Sequence, residues 1–138
     1  MTNKEIAKLG VLIASIELGL DGIEVEFRGE SFFKRKTINA VFFKEVYTIV
    51  FNEDLLEFSH EDNILKCAFH ETRHAYQMAC IEFPELMNID VSDVEVEIWK
   101  SEFECYFGPG DELYETQLIE LDAVRFAEEL FNDLYGDE

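Results

Sequence analysis

The residues whose types and spacing carry the most specific chemistry are His70-Glu71-Thr72-Arg73-His74. Two histidines four residues apart lie on one face of an α-helix, close enough to bind one metal ion. A glutamate directly after the first histidine can accept a proton from a water molecule on that metal. His-Glu-x-x-His is the minimal sequence form of this arrangement. The segment therefore predicts metal-assisted hydrolysis with a zinc ion, a water nucleophile and Glu71 as the general base.

A catalytic zinc ion usually has three protein ligands and a water molecule, so the motif needs a third ligand from elsewhere. The predicted last helix, residues 113–134, carries an apolar stripe. Its members are Ile119, Ala123, Phe126, Leu130 and Leu134. Glu120 lies about 100° from Ile119 on the helical wheel and therefore faces the interior, where an unpartnered carboxylate is costly and zinc is a suitable partner. Asp122, towards the edge of the stripe, is a candidate for orienting a histidine.

The two segments together resemble small gluzincins of the ImmA/IrrE-like metallopeptidase group. The second segment reads Glu120-Leu-Asp122-Ala123-Val-Arg-Phe126-Ala127, similar to the Glu-x-x-Ala-x-x-Phe-Ala pattern of that group. The resemblance covers residues 46–134 and implies a zincin-like core that hydrolyses peptide bonds. It also implies zinc ligation by His70, His74 and Glu120, with Glu71 as the general base. The chain departs from the group in the long spacing of 46 positions between His74 and Glu120 and in its lack of a helix-turn-helix segment.

Four side chains outside the motif have alternative interpretations. Cys67 lies one turn before the motif, but three ligands on one straight helix rarely converge on a tetrahedral ion, so it is interpreted as a core residue rather than a structural zinc ligand. His60 is interpreted as a surface or helix-capping residue. Tyr106 and Tyr114 are candidates for donating a hydroxyl to an oxyanion, and packing in an aromatic-rich core is the alternative for both.

The motif must lie on a helix whose other side is buried. Helical periodicity extends over residues 63–80, and the apolar residues occupy the side away from the two histidines. They are Ile64, Leu65, Ala68, Phe69, Ala75, Tyr76 and Ala79. Arg73 falls outside this apolar arc and is expected to pair with a carboxylate. The pattern predicts a helix that packs on a sheet and holds the histidines towards a cleft.

The segment before the motif predicts a small sheet. Residues 23–28 alternate between apolar and charged side chains, as in a half-buried strand, and residues 37–43 and 46–51 are rich in β-formers. Lys44-Glu45 would connect the last two strands as a hairpin. We expect about three antiparallel strands, with residues 46–51 as an edge strand that lines the cleft and pairs with an extended peptide.

Helical segments complete an α+β chain, which we treat as one domain over residues 1–138. A first helix begins near Ile6 and stops at Gly19, because apolar residues recur at helical spacing before that glycine. Another helix is predicted around residues 94–107, anchored by Trp99 and followed by the breaker Gly108-Pro109-Gly110. The predicted fold is thus a zincin-like core: a small antiparallel sheet on the motif helix, with a C-terminal ligand helix.

Composition limits the classes of function. The net charge is −20, from 31 acidic and 11 basic residues, which disfavours direct nucleic-acid binding and favours a basic partner. The one basic cluster, residues 34–36, is interpreted as a solvated turn. No apolar run is long enough to span a membrane, and three cysteines at no disulfide-like spacing suit a reducing cytoplasm.

These observations favour a zinc-dependent metallopeptidase that acts on a peptide or protein. The first alternative is a zinc-stabilised binding module that recognises a protein without cleaving it. The second is a hydrolase of non-peptide amides on the same scaffold. Neither the substrate nor the oligomeric state follows from the sequence.

Overall fold

The computed structural model describes residues 1–108 and 111–136, and in these residues it contains five α-helices and three β-strands. In chain order they are α1 Asn3–Leu18, β1 Glu24–Arg28, β2 Ala40–Phe43, β3 Thr48–Asn52, α2 Glu53–Leu56, α3 Glu61–Glu82, α4 Asp93–Glu104 and α5 Leu118–Tyr135. The α+β class is therefore confirmed. Two residues of the predicted Gly-Pro-Gly breaker, Pro109 and Gly110, lie outside the described residues.

Helix α1 has well-defined ends and a close packing partner. The Thr2 hydroxyl accepts from the Glu5 backbone N–H, and the Glu5 carboxylate accepts from the Thr2 N–H, so the helix begins with a capping box. It ends at Gly19, whose φ of 69° is left-handed, and the predicted stop is thus confirmed. A Cβ on Gly10 would lie 2.6 Å from the Cβ of Ala68, so only glycine allows α1 to approach α3 this closely.

The sheet has three strands in the order β1-β3-β2. Strands β2 and β3 are antiparallel and joined across residues 44–47, which confirms the predicted hairpin with a longer turn. The prediction of a wholly antiparallel sheet is wrong, because β1 pairs with β3 in parallel. This pairing is available because the chain returns through β2 before it enters β3.

The predicted edge strand is also wrong. Strand β3 lies in the centre of the sheet and all five of its residues are buried. Its two sides are both occupied, since β1 and β2 each use one row of its backbone groups. Strand β2 is half-buried and has a free edge, so it is the strand available at the cleft.

Helix α3 lies in the middle of the molecule, where α1 and α5 flank it and β2 runs beside it. All seven apolar residues predicted to form its inner side are buried, at 4% exposure or less. Trp99 is fully buried and anchors α4 against α3 and α5, as predicted. None of the helices in the described ranges is long and apolar enough to cross a lipid bilayer.

Candidate metal centre

The two motif histidines and Glu120 meet at one point between α3 and α5. The His70 and His74 rings lie 4.8 Å apart, centroid to centroid. The Nε2 atom of His70 lies 3.0 Å from Glu120 Oε1, and the Nε2 atom of His74 lies 3.1 Å from Glu120 Oε2. One buried carboxylate thus contacts both imidazoles, each through a different oxygen. The fold brings together the three side chains that the sequence predicts as ligands.

The spacing of these atoms fits a tetrahedral metal. Two ligand atoms about 2.0–2.1 Å from zinc at the tetrahedral angle are about 3.3 Å apart. The two N–O distances of 3.0 and 3.1 Å are within a few tenths of an ångström of that value. Two imidazole nitrogens and a carboxylate also form a donor set that zinc uses in hydrolases. The spacing between the Glu120 carboxylate and each histidine is therefore compatible with ligation of one zinc ion.

Glu71 lies beside the same histidines and is a second carboxylate within reach of a metal. His70, Glu71 and His74 each offer a ligand atom, and these atoms lie within 4.8 Å of one another. Glu120 is the stronger candidate for a third ligand because it contacts both imidazoles directly, which leaves Glu71 available to accept a proton. Burial raises the pKa of Glu71 and outweighs the lowering by His70 and His74. A raised pKa suits a general base that works near neutral pH.

The charge of Glu120 controls the protonation of its neighbour. Burial lowers the pKa of His74, but the hydrogen bond and negative charge of Glu120 outweigh burial and raise that pKa to about 9. Burial also acts to raise the pKa of Glu120, and the hydrogen bonds from His70 and His74 instead bring it well below its usual range. The pocket between the histidines therefore attracts positive charge.

Gln77 fixes the orientation of His74. The Gln77 side-chain NH₂ donates to the Ile119 carbonyl at 2.9 Å and to Asp122 Oδ2 at 2.8 Å. Both partners are acceptors, so the amide oxygen faces His74 Nδ1, 2.8 Å away, and must accept from it. The proton on Nδ1 leaves Nε2 unprotonated in the neutral ring, as a metal requires. Sequence reasoning missed Gln77 as an orienting residue, although its position three residues after His74 on one helix was a usable signal.

Asp122 was predicted to orient a histidine, but it contacts Gln77 rather than a ring nitrogen. Its main partner is Arg73, whose Nε and Nη2 atoms lie 2.7 and 3.0 Å from the Asp122 oxygens. Arg73 also donates to both oxygens of Asp90, at 2.9 and 3.0 Å. Burial lowers the pKa of Arg73, and the two carboxylates outweigh it, so the net shift is upward. The expected pairing of Arg73 with a carboxylate is confirmed.

The two tyrosines predicted as hydroxyl donors both reach the site. The Tyr106 hydroxyl donates to Glu120 Oε2 at 2.9 Å, so it supports the carboxylate of this candidate ligand. Tyr114 packs edge-on against Tyr106, at 6.2 Å between ring centroids, and lines the cleft. Burial and the charge of Glu120 raise the pKa of both hydroxyls, which keeps them protonated as donors.

Cys67 and His60 lie outside the ligand set. His60 is the N-cap of α3, and its Nδ1 accepts from the Asp62 backbone N–H at 3.2 Å, so the capping interpretation is confirmed. Cys67 packs against the main apolar cluster, and burial raises the pKa of its thiol. Cys67 is half-buried, so its predicted core role is met only in part: it packs at the edge of the apolar cluster.

A cleft of about 420 Å³ opens beside His74. Glu71 and His74 form part of its lining, β2 forms one wall, and the rings of Phe103, Tyr106 and Tyr114 contribute to the other. The cleft therefore places a free strand edge next to a proton acceptor and a candidate metal centre. A larger groove of about 670 Å³ lies between α4 and the segment before α5, and none of the candidate ligands lines it.

The cleft thus combines side chains that could hold a divalent cation, a carboxylate that could accept a proton and a free strand edge. These are the capacities that hydrolysis of an amide requires. Comparison of the chain with protein-family models, with curated proteins and with solved structures finds no match.

Proposed function

We propose that this protein is a zinc-dependent metallopeptidase with a zincin-like core. His70, His74 and Glu120 would hold the metal, and Glu71 would act as the general base. The observation that carries the proposal is the buried Glu120 carboxylate, which contacts the Nε2 atoms of both histidines at metal-ligand spacing. A carboxylate that is 3% exposed needs a positively charged partner. A metal ion supplies that charge and uses all three ligands at once.

The chain's own residues would carry the remaining chemistry. Zinc, when bound, polarises the scissile carbonyl and lowers the pKa of water towards 7. Glu71 accepts the proton of the attacking water and returns it to the leaving amine, which its raised pKa favours. The free edge of β2 would align the substrate by backbone hydrogen bonds, and the Tyr114 hydroxyl would donate to the developing oxyanion.

The test joins a metal assay to a base substitution. We expect about one zinc ion per chain by elemental analysis and cleavage of a random peptide library by mass spectrometry. Glu71→Gln should retain zinc and lose cleavage by about 10²–10⁴-fold, because it removes only the proton acceptor. Glu61→Gln, at an exposed position in the first turn of the same helix, is the matched control and should cleave normally. A protein that binds no metal when zinc is supplied refutes the proposal.

A zinc-stabilised binding module is the second candidate. The ligands come from α3 and α5, so a bound metal would link two helices that also pack against each other. Such a link stabilises the folded chain whether or not a substrate is cleaved. This candidate predicts bound zinc and a raised melting temperature, with no turnover by the wild type on any peptide library.

A further inference from the structure

Two lysines line the cleft beside Glu71, although the whole chain has a net charge of −20. Lys34 and Lys44 line the cleft together with Glu71 and His74. Within residues 1–108 and 111–136 neither lysine forms an ion pair, whereas Lys4 and Lys66 each pair with a carboxylate. Two ammonium groups that lack an ion pair in these residues, at the cleft of so acidic a chain, favour an anionic ligand.

Lys44 is held at the α4 side of the cleft. Its Nζ donates to the Phe103 carbonyl at 3.5 Å and lies 6.0 Å from the centroid of the Phe103 ring. That ring lies 6.5 Å from the His74 ring, centroid to centroid. The ammonium is therefore one aromatic ring away from a candidate metal ligand. An extended peptide advances about 3.3 Å per residue, so a group bound at Lys44 lies within about four residues of a peptide bond at His74.

Lys34 reaches the cleft from the segment between β1 and β2. The Phe32 ring packs edge-on against Phe43 of β2 at 5.9 Å and against Phe33 at 5.3 Å. Phe33 is buried, so these contacts anchor the segment on β2 just before Lys34. Lys34 is exposed and lines the cleft, whereas the next two basic residues do not. One member of the basic cluster predicted to be solvated thus has a place in the site.

We propose that Lys34 and Lys44 bind a carboxylate of the substrate, either an Asp or Glu side chain or a free C-terminus. This inference rests on the proposed peptidase function and adds the class of peptide. Ammonium groups bind carboxylates through charge-assisted hydrogen bonds. Glu45 lies on the same rim but is exposed and, in the described part of the chain, pairs with neither lysine, so both lysines are available. Because the acidic surface as a whole repels acidic peptides, these two ammonium groups would select where such a peptide binds.

Binding to an inactive protein tests the proposal apart from cleavage. The full chain with Glu71→Gln, loaded with zinc, is mixed with two random nonapeptide pools, one amidated at the C-terminus and one with a free carboxylate. Bound peptides are separated by size and sequenced by mass spectrometry. We expect Asp and Glu to be enriched about tenfold over Asn and Gln at one position of the amidated pool, or the free-carboxylate pool to be retained about tenfold better. The first outcome assigns a side chain and the second a C-terminus.

Charge reversal supplies the control. The double substitution Lys34→Glu and Lys44→Glu should remove the preference, whereas Lys100→Glu, on the exposed surface of α4, should keep it. Unchanged preference in the double variant, no preference for a carboxylate in either pool, or no retained peptide would overturn the proposal. If the wild type cleaves peptides without this preference, the peptidase function stands and the carboxylate site fails. Selective binding without cleavage by the wild type would support the carboxylate site and count against the peptidase function.

Discussion

Two polar clusters that include side chains of helix α3 differ in how their charges are balanced. The histidine cluster consists of His70, Glu71, His74 and Glu120. The arginine cluster consists of Arg73, Asp90, Asp122 and Arg125. In the arginine cluster two guanidinium groups face two carboxylates at 2.7–3.1 Å. In the histidine cluster two carboxylates lie beside two imidazoles, and an imidazole carries no permanent charge.

The difference teaches that burial and polarity do not by themselves mark a functional site. The arginine cluster is complete, because each carboxylate has a permanently charged cation. The histidine cluster lacks such a cation, so the charge must come from protons on the imidazoles or from a metal ion. The cluster with missing positive charge also lies at a cleft, and this combination is the one expected of a metal centre.

Gln77 and Asp122 join the two clusters. Arg73 holds Asp122, Asp122 accepts from the Gln77 amide, and the Gln77 oxygen faces His74 Nδ1. The arginine cluster therefore supports one candidate metal ligand. Removing a charge from the histidine cluster should weaken zinc binding, whereas removing one from the arginine cluster should lower stability. The variants below test this difference.

The largest effect is expected from Glu120→Gln. The change keeps the shape of the side chain but replaces the anionic ligand with a neutral amide, so zinc affinity should fall by more than about 100-fold. Competition with a chromophoric zinc chelator measures this affinity. Glu129→Gln, at an exposed position of the same helix, should bind zinc like the wild type. A Glu120→Gln protein with zinc affinity within threefold of the wild type would show that Glu120 is not a ligand.

Arg73→Met should lower the free energy of unfolding by about 3–5 kcal/mol, because it leaves Asp122 buried without its main cation. Urea unfolding followed by circular dichroism measures the change. Arg125→Met removes the other cation from the same carboxylate, but its side chain is 61% exposed, so the cost should stay below about 1 kcal/mol. Equal costs for the two variants would contradict the division into a buried and an exposed pair.

Gln77→Met tests the link between the clusters. It removes the acceptor for His74 Nδ1 without a large change in volume, so zinc affinity should fall by about 10- to 100-fold. Thr72→Val is the control, since Thr72 is also buried on α3 but bonds only to the Ala68 carbonyl. Chelator competition on folded samples should show a loss for Gln77→Met alone. Equal losses in both variants would mean that general destabilisation, rather than orientation, is responsible.

The smallest effect is expected from Asp90→Asn, and it depends on pH. Burial acts to raise the pKa of Asp90, but the hydrogen bonds from Arg73 outweigh burial, so the pKa falls below its ordinary value of 3.8. A depressed pKa in the folded state stabilises the protein above the unfolded value, and this stabilisation is lost as pH falls through the lower folded pKa. The stability difference between wild type and Asp90→Asn should thus persist from pH 7 to about 4 and shrink below it.

Urea unfolding of metal-free samples between pH 7 and 3 measures this difference without interference from zinc binding. Asp93→Asn, at an exposed position in the first turn of α4, serves as the reference for an ordinary carboxylate outside the arginine cluster. A stability difference that grows as the pH falls would contradict a stabilising ion pair between Asp90 and Arg73.

Much of the fold and of the candidate site could be predicted from local sequence patterns. The spacing of His70 and His74 predicted their shared face, and the apolar arc of α3 was recovered in full, because helical periodicity depends on neighbours within a few residues. The helical wheel of the last helix placed Glu120 on its buried side for the same reason. The three strands were predicted to within a few residues. Their order in the sheet was not, since strand order depends on contacts between distant parts of the chain.

The sequence by itself therefore determined which residues have the chemistry of a metal centre and which helix faces present them. Only the tertiary structure decided that β2 is the free edge, that β1 runs parallel to β3, and that Gln77 stands between Asp122 and His74. It also decided which carboxylates pair with Arg73, namely those at positions 90 and 122. The physical reason is that a buried charge or a strand edge is satisfied by whichever partner packing brings near, and that partner is not encoded in local spacing.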